Sequence, residues 1–215
     1  MNPADIAAQL RCPSGSDARE TAERMNAANG ETNRRVISQL GITDNNRVLE
    51  IGPANAAFAP EIIGAADQVS YCGLDHSADM VQQARERYRD WDHELRFEQG
   101  SSDAIPWPDA YFDRVLAVHT LYFWKQPLDH LREIHRVMKP GARFALAFGD
   151  ISFMRELPFT LYGFTLYDQQ ATTTLLKEAG FEVLQAVSHK ETGQSNTGEN
   201  VEKQINILLC TLVNE

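Results

Sequence analysis

From Arg47 onward the apolar positions fall into two alternating rhythms. Short runs rich in β-branched and aliphatic residues, RVLEIG, VSYCGLD and ELRFEQ, are separated by APEIIGAA and SADMVQQARERYR, whose apolar residues recur at helical spacing. This is a βαβαβ beginning. A further apolar run, RVLAVHTL, follows the turn-like IPWPDAYFD. The amphipathic PLDHLREIHRVM then ends at Lys139-Pro140-Gly141, before the strand ARFALAF. Strands alternating with helices predict an α/β fold with a mostly parallel sheet covered on both faces.

The two ends of the chain follow different rhythms. A polar, helix-like stretch from Ser16 to Gly30 and a second from Glu31 to Leu40, stopped by Gly41, precede the first strand. Near the other end, Asp168 suits the N-cap of DQQATTTLLKEAG and Gly180 its stop. FEVLQAVSHK and VEKQINILLCTLV then flank a polar segment with no helix between them, so these two strands should pair antiparallel. GQSNTGEN reads as mobile, a hairpin tip or a loop.

Composition narrows the function classes. With 43% apolar and 23% charged residues, the 215-residue chain can bury a core of single-domain size. Its formal charge of -10 disfavours broad binding to nucleic acid or anionic membranes. Cys12, Cys72 and Cys210 are too few and too far apart for a disulfide framework or a zinc ribbon, which points to a reduced, cytoplasmic chain. The opening MNPADIAAQL lacks a basic leader, and no run is long enough for a membrane span, so a soluble, unprocessed protein is expected. His130 and His135 are five apart on their helix and share no face; a solvated position is expected for both, and no metal site.

Candidate chemistry gathers at strand ends. The first strand leads into Glu50-Ile51-Gly52-Pro53-Ala54-Asn55-Ala56, where open α/β sheets bind ligands and a glycine lets backbone approach them. The second ends at Asp75, 23 residues beyond Gly52, the separation at which a carboxylate meets a nucleoside ribose. Ser77 is placed to cap the next helix, with Met80 on its first turn. Taken alone, Asp75 also suits a cap, Glu50 a strand-end acid, and His119 a hydrogen-bonded core histidine.

The ordered set of VLEIG, GLDHSADMVQQAR, Gly100-Ser101-Ser102-Asp103 and IPWPDAYFDRVLAVHTLYFWKQPLDHLREIHRVMKPGARFAL resembles the class I S-adenosylmethionine-dependent methyltransferases. The likeness runs from about Arg47 to Phe148 and is to the small-molecule branch that includes ubiquinone and menaquinone C-methyltransferases. The resemblance implies a Rossmann-like, doubly wound sheet with an antiparallel C-terminal strand, S-adenosylmethionine as cofactor, and a small-molecule acceptor rather than nucleic acid or membrane. It also implies that Glu50, Gly52 and Ala54 frame the methionine end and that Asp75 grips the ribose. His76 and Met80 would border the adenine, Ser101, Ser102 and Asp103 would reach its edge, and His119 would line the sulfonium region. An acid common in the family stands where this chain has Ser101; here Asp103 comes two places later. Ala54 and Ala56 replace the second and third glycines of Gly-x-Gly-x-Gly. A left-handed Ala54 would carry about 1–2 kcal/mol of strain and turn its methyl group into the cofactor space.

On this reading residues 1–215 form one domain: an N-terminal helical cap (1–41), a cofactor-binding core (47–148) and a C-terminal substrate-side segment of helix and hairpin (149–215). His119 and Tyr122 are the candidate catalytic residues, needed as a base only when the acceptor must lose a proton. Met25, Asn26 and Asn29 suit a lid over the mouth, or equally a helix packed on the sheet edge. Trp107, Tyr122, Phe123 and Trp124 form a substrate wall or core anchors, with Trp107 and Tyr122 nearest the mouth. FMRELPFTLYGFTLY suits a pocket cover and mildly favours an apolar or aromatic acceptor. Two alternatives are a binding protein without turnover, motivated by Ala54 and Ala56, and a nicotinamide-dependent reductase. The reductase fits less well, because a pyrophosphate needs glycine at 54.

Overall fold

The computed structural model describes residues 1–91, 95–194 and 200–213; the centre of the expected hairpin tip, 195–199, lies outside the described residues. Seven strands, β1 (Arg47–Ile51), β2 (Ser70–Asp75), β3 (Leu95–Gln99), β4 (Phe112–Val118), β5 (Met138–Gly149), β6 (Phe181–Gln194) and β7 (Asn200–Leu212), form one sheet in the order β3-β2-β1-β4-β5-β7-β6. β7 runs antiparallel to both its neighbours, and β1 to β5 pair in parallel. The helices are α1 (Pro3–Arg11), α2 (Ala18–Leu40), α3 (Ala59–Ile63), α4 (Ala78–Arg87), α5 (Pro127–Val137), α6 (Ile151–Met154) and α7 (Gln169–Glu178). This is the mostly parallel sheet expected from the strand-helix alternation, in the Rossmann-like arrangement that the resemblance implies.

Both faces of the sheet are covered, so its central strands read as continuous apolar runs. Along β5, Phe144, Leu146 and Phe148 enter the core beneath α5 and α7, while Ala145 and Ala147 enter the opposite core with Val36, Ile37 and Leu40 of α2. Small residues on that face let α2 lie close to the sheet. The same alternation separates Val48 from Leu49 and Ile51 on β1.

Several boundaries differ from the sequence reading. The stretches Ser16–Gly30 and Glu31–Leu40 are one helix, α2, because a helical glycine costs only about 1 kcal/mol and packing on the sheet overrides it. Gly41 ends α2 in the left-handed region, at φ 67°. α1 went unpredicted, although Asn2 and Asp5 make a capping box around Pro3. Lys139-Pro140-Gly141 does not precede β5 but lies within it: pairing starts at Phe112 with Met138, then shifts register before Arg114 meets Arg143. Asp168 caps α7 through Ala171 N–H, as expected. The segment expected to cover the pocket folds as α6 followed by a 3-10 turn, Pro158–Leu161. Among the described residues no helix is long and apolar enough to cross a membrane.

Candidate active site

The chain leaves β1 toward one side of the sheet and, after β3, returns through β4 to the other. Ligands in such sheets bind outside the strand carboxyl ends at this switch point. There a cavity of about 450 Å³ opens, walled by Glu50, Gly52, Ala54, Asp75, His76, Ser101, Ser102, Asp103 and His119. Nine of the ten cofactor-site candidates thus share one cavity, and Met80 is the exception.

Asp75 is fixed at both oxygens. Oδ2 accepts the Ala54 backbone N–H at 2.8 Å and Oδ1 that of Ser77 at 2.8 Å, so the carboxylate bridges the loop after β1 and the start of α4. Burial raises its pKa to about 6, against these two bonds. Glu50, also buried, accepts the Tyr71 hydroxyl at 2.6 Å and is pushed up to about 7, chiefly by desolvation. Gly52 sits at φ 70°, where a side chain is strained, and a Cβ there would come within 2.5 Å of Thr120 Cγ2, which would have to move.

Ala54 and Ala56 adopt φ 50° and 54°, the left-handed conformation that a glycine loop would take without strain. The surroundings over-determine this loop. Besides Asp75 on Ala54, Asn26 reaches the Asn55 side chain at 3.0 Å, Arg87 bonds the Asn55 carbonyl at 3.3 Å, and the Tyr88 hydroxyl bonds the Ala56 carbonyl at 2.7 Å. Ala54→Gly relieves about 1–2 kcal/mol of strain and gives back about 0.4–1 kcal/mol to the unfolded chain. It is therefore expected to raise the unfolding temperature by a few degrees, measured by calorimetry; a fall would mean that Ala54 is not strained.

His119 closes the floor at the end of β4, itself at φ 58°, with its backbone N–H on Ala147 O at 2.8 Å. Its Nδ1 lies 3.0 Å from the Tyr122 hydroxyl, whose oxygen also accepts the Gly149 N–H. With the phenol hydrogen assigned to Nδ1, the ring hydrogen falls on Nε2, which is shielded from solvent and has no partner among the described residues. Burial, reinforced by the Lys203 charge, pushes His119 down to about 3, and burial raises Tyr122. Both side chains are neutral at physiological pH and suit hydrogen bonding better than proton removal.

Three readings change. Met80 does not border the cavity: it is 0% exposed and packs on Ala18 and Ala22, because the first turn of α4 faces α2. Trp107 and Tyr122 do not stand at the main mouth. Trp107 is a core anchor against Phe112, Tyr122 lines a smaller neighbouring chamber, and the mouth takes Phe123 and Trp124 instead. His130, expected in solvent, is buried with its ring stacked 5.0 Å from Trp124 and Nδ1 2.8 Å from Ser102 Oγ, beside the cavity; His135 packs on Phe181.

The sequence reading also missed Leu10, Arg11 and Pro13. α1 brings them over the mouth, where Arg11 donates to Gly163 O at 2.8 Å and the Ser77 hydroxyl to Pro13 O. The capping box around Pro3 was the available signal. Met25, Asn26 and Asn29 line the cavity from the middle of α2, so one helix both packs on the sheet and walls the site.

Residues 49–146 match the family model of the methyltransferase domain. The uncharacterized methyltransferase YdaC of Bacillus subtilis (strain 168) is 30% identical over 122 residues, 57% of this chain and 66% of YdaC. Demethylmenaquinone methyltransferase of Deinococcus radiodurans is 33% identical over 100 residues, 46% of this chain and 42% of the relative. The chain thus spans less than two thirds of the curated relatives it matches. An S-adenosylmethionine-dependent methyltransferase of Aquifex aeolicus shares the fold with a TM-score of 0.67 at 20% identity, over 99% of this chain and all of the other. A chain from the complex of the Haloferax volcanii Trm112 methyltransferase activator with a methyltransferase superposes with a TM-score of 0.76 at 19% identity, over 93% of this chain and 96% of that one. Over residues 49–146 the chain is thus similar to methyltransferases, and it shares its fold with S-adenosylmethionine-dependent ones.

Proposed function

We propose that the chain transfers the methyl group of S-adenosylmethionine to a small-molecule acceptor, as one domain working in the cytoplasm. The observation that carries this reading is Asp75, a buried carboxylate held at both oxygens by Ala54 and Ser77 N–H groups on the wall of the switch-point cavity. Each oxygen keeps a lone pair for one ribose hydroxyl. Glu50, buried and capped by Tyr71, receives the cationic amino group of the methionine end. His76, Ser101, Ser102 and Asp103 border the base, with Ser102 oriented by His130. His119 faces the sulfonium region as a neutral hydrogen-bond donor, and Tyr122 fixes its ring.

When bound, the cofactor supplies an already activated methyl group on a good leaving group. The protein's task is alignment in a site closed to water, where holding the reacting atoms about 3–3.5 Å apart accounts for much of the rate. Phe123 and Trp124 from the sheet side, with Leu10 and Arg11 from α1, supply that closure. Cys12, Cys72 and Cys210 form no disulfide among the described residues, which suits a reducing compartment.

Incubation with S-adenosylmethionine labelled on its methyl group and a panel of small organic acceptors tests the assignment. Label should appear in a small product, with S-adenosylhomocysteine formed in equal amount. Tight binding of S-adenosylhomocysteine without label transfer across the panel would instead support a binding protein without turnover.

A further inference from the structure

Beside the main cavity lies a second chamber of about 70 Å³, which shares Met25, Asn29, His119 and Phe123 with it. Its remaining walls are mostly apolar, with Phe153, Phe159 and Phe164 among them. Two features set it apart from a core void. One is His119 Nε2–H, shielded from solvent and without a partner among the described residues. The other is Lys203 of β7, only 5% exposed, whose ammonium donates to Ala28 O and lies 4.0 Å from Glu191 Oε1. Glu191 accepts Thr32 Oγ1 at 2.8 Å and does not line the chamber. Lys203 thus lines the chamber, while Glu191 stands outside it. Burial lowers the Lys203 pKa against the opposing charges of Glu191 and Glu31.

Resting on the methyl-transfer reading above, we propose that this chamber is the acceptor subsite, and that the acceptor is a small apolar or aromatic carboxylic acid. Its anionic oxygen, received by His119 Nε2–H and the Lys203 ammonium, takes the methyl group. A buried donor left unpaired, as His119 Nε2–H is, discriminates strongly in favour of a ligand that supplies the missing acceptor. The protonation states agree. A neutral hydroxyl would need a base, but His119 is pushed to about 3 with Nδ1 already holding the Tyr122 hydrogen, and the Tyr122 phenol is raised. A carboxylate arrives ionised. Its oxygen lone pair forms the new O–C bond as the S–C bond breaks, the bonding pair stays on sulfur as a neutral thioether, and no proton is released. Arg11 and Lys125 on the main cavity wall offset the acidic surface along the approach.

The test uses the full chain saturated with S-adenosylhomocysteine and titrated, by NMR at about pH 8 where a carboxylic acid is ionised, with benzoate against benzamide and hexanoate against hexanamide. Each acid is expected to bind about tenfold tighter than its amide, or more, as one charge-assisted hydrogen bond implies. Lys203→Met should reduce that preference to within about twofold while S-adenosylhomocysteine affinity is kept. Because Lys203→Met strands the Glu191 charge, Lys203→Met/Glu191→Gln is run beside it; the pair removes both charges and keeps an acceptor for Thr32. An amide that binds as well as its acid, no binding of either, or an acid preference that survives in the folded double variant overturns the proposal. Failure of the wild type to bind S-adenosylhomocysteine at the outset overturns the reading of the main cavity as well, which separates the two failures.

Discussion

Asp75→Ala is expected to weaken S-adenosylhomocysteine binding by about a hundredfold or more, with the fold retained. Hydrogen bonds to a charged group contribute about 1.5–3 kcal/mol each, and Asp75 is assigned one to each ribose hydroxyl, so even the lower figure for both amounts to two decades in Kd. The fold should survive because two effects oppose each other. The substitution strips partners from the Ala54 and Ser77 N–H groups, but it also removes a carboxylate whose burial raises its pKa to about 6. Asp75→Asn, which keeps one acceptor oxygen, should fall between wild type and alanine. Calorimetric titration beside thermal unfolding separates the two readouts. Wild-type affinity in Asp75→Ala would mean that Asp75 only ties Ala54 to Ser77.

The second large effect is on pH. Free Glu50 and Asp75 titrate near 7 and 6, both raised by burial. A ligand that needs both carboxylates ionised must displace their protons, so its affinity falls as pH drops. Between about pH 8 and pH 6 the expected loss is about tenfold from Glu50 and about twofold from Asp75. Stability of the free protein has the opposite sign. A carboxylate with a raised folded-state pKa binds more protons folded than unfolded, so the free protein gains stability as pH falls through the same window. Glu50→Gln keeps a partner for Tyr71 and should flatten most of the binding profile. A wild-type profile that is already flat would remove Glu50 from the cationic end of the ligand.

The fold was legible wherever periodicity and caps agreed. Val48 and Leu49 face opposite cores, as an apolar run in a sheet covered on both sides requires, and Ser77 and Asp168 cap the helices they were read to cap. Gly30 misled because tertiary packing outweighs the modest cost of a helical glycine. Within the site, the strand-end residues could be read because strand order alone brings Glu50, Asp75 and His119 to one edge of the sheet. Lys203 of the second chamber could not, since it sits in a strand-like run far along the chain and reaches that chamber only because β7 inserts beside β5. His130 was hidden differently: its spacing with Leu131, Ile134 and Val137 gives the buried face of α5, but comparing it only with His135 put it in solvent.

Ala54 and Ala56 carried the sharpest doubt about the site. Both take the glycine-like conformation, and contacts from Asn26, Asp75, Arg87 and Tyr88 hold the loop there. The substitution of alanine for glycine therefore changes the local energy more than the shape. A calorimetric titration of the full chain with S-adenosylhomocysteine, with NADH as the comparison, tests the cavity most directly. Saturable one-to-one binding of S-adenosylhomocysteine and none of NADH is the expected result; binding of NADH alone, or of neither, would contradict the assignment of this cavity to a methyltransferase cofactor.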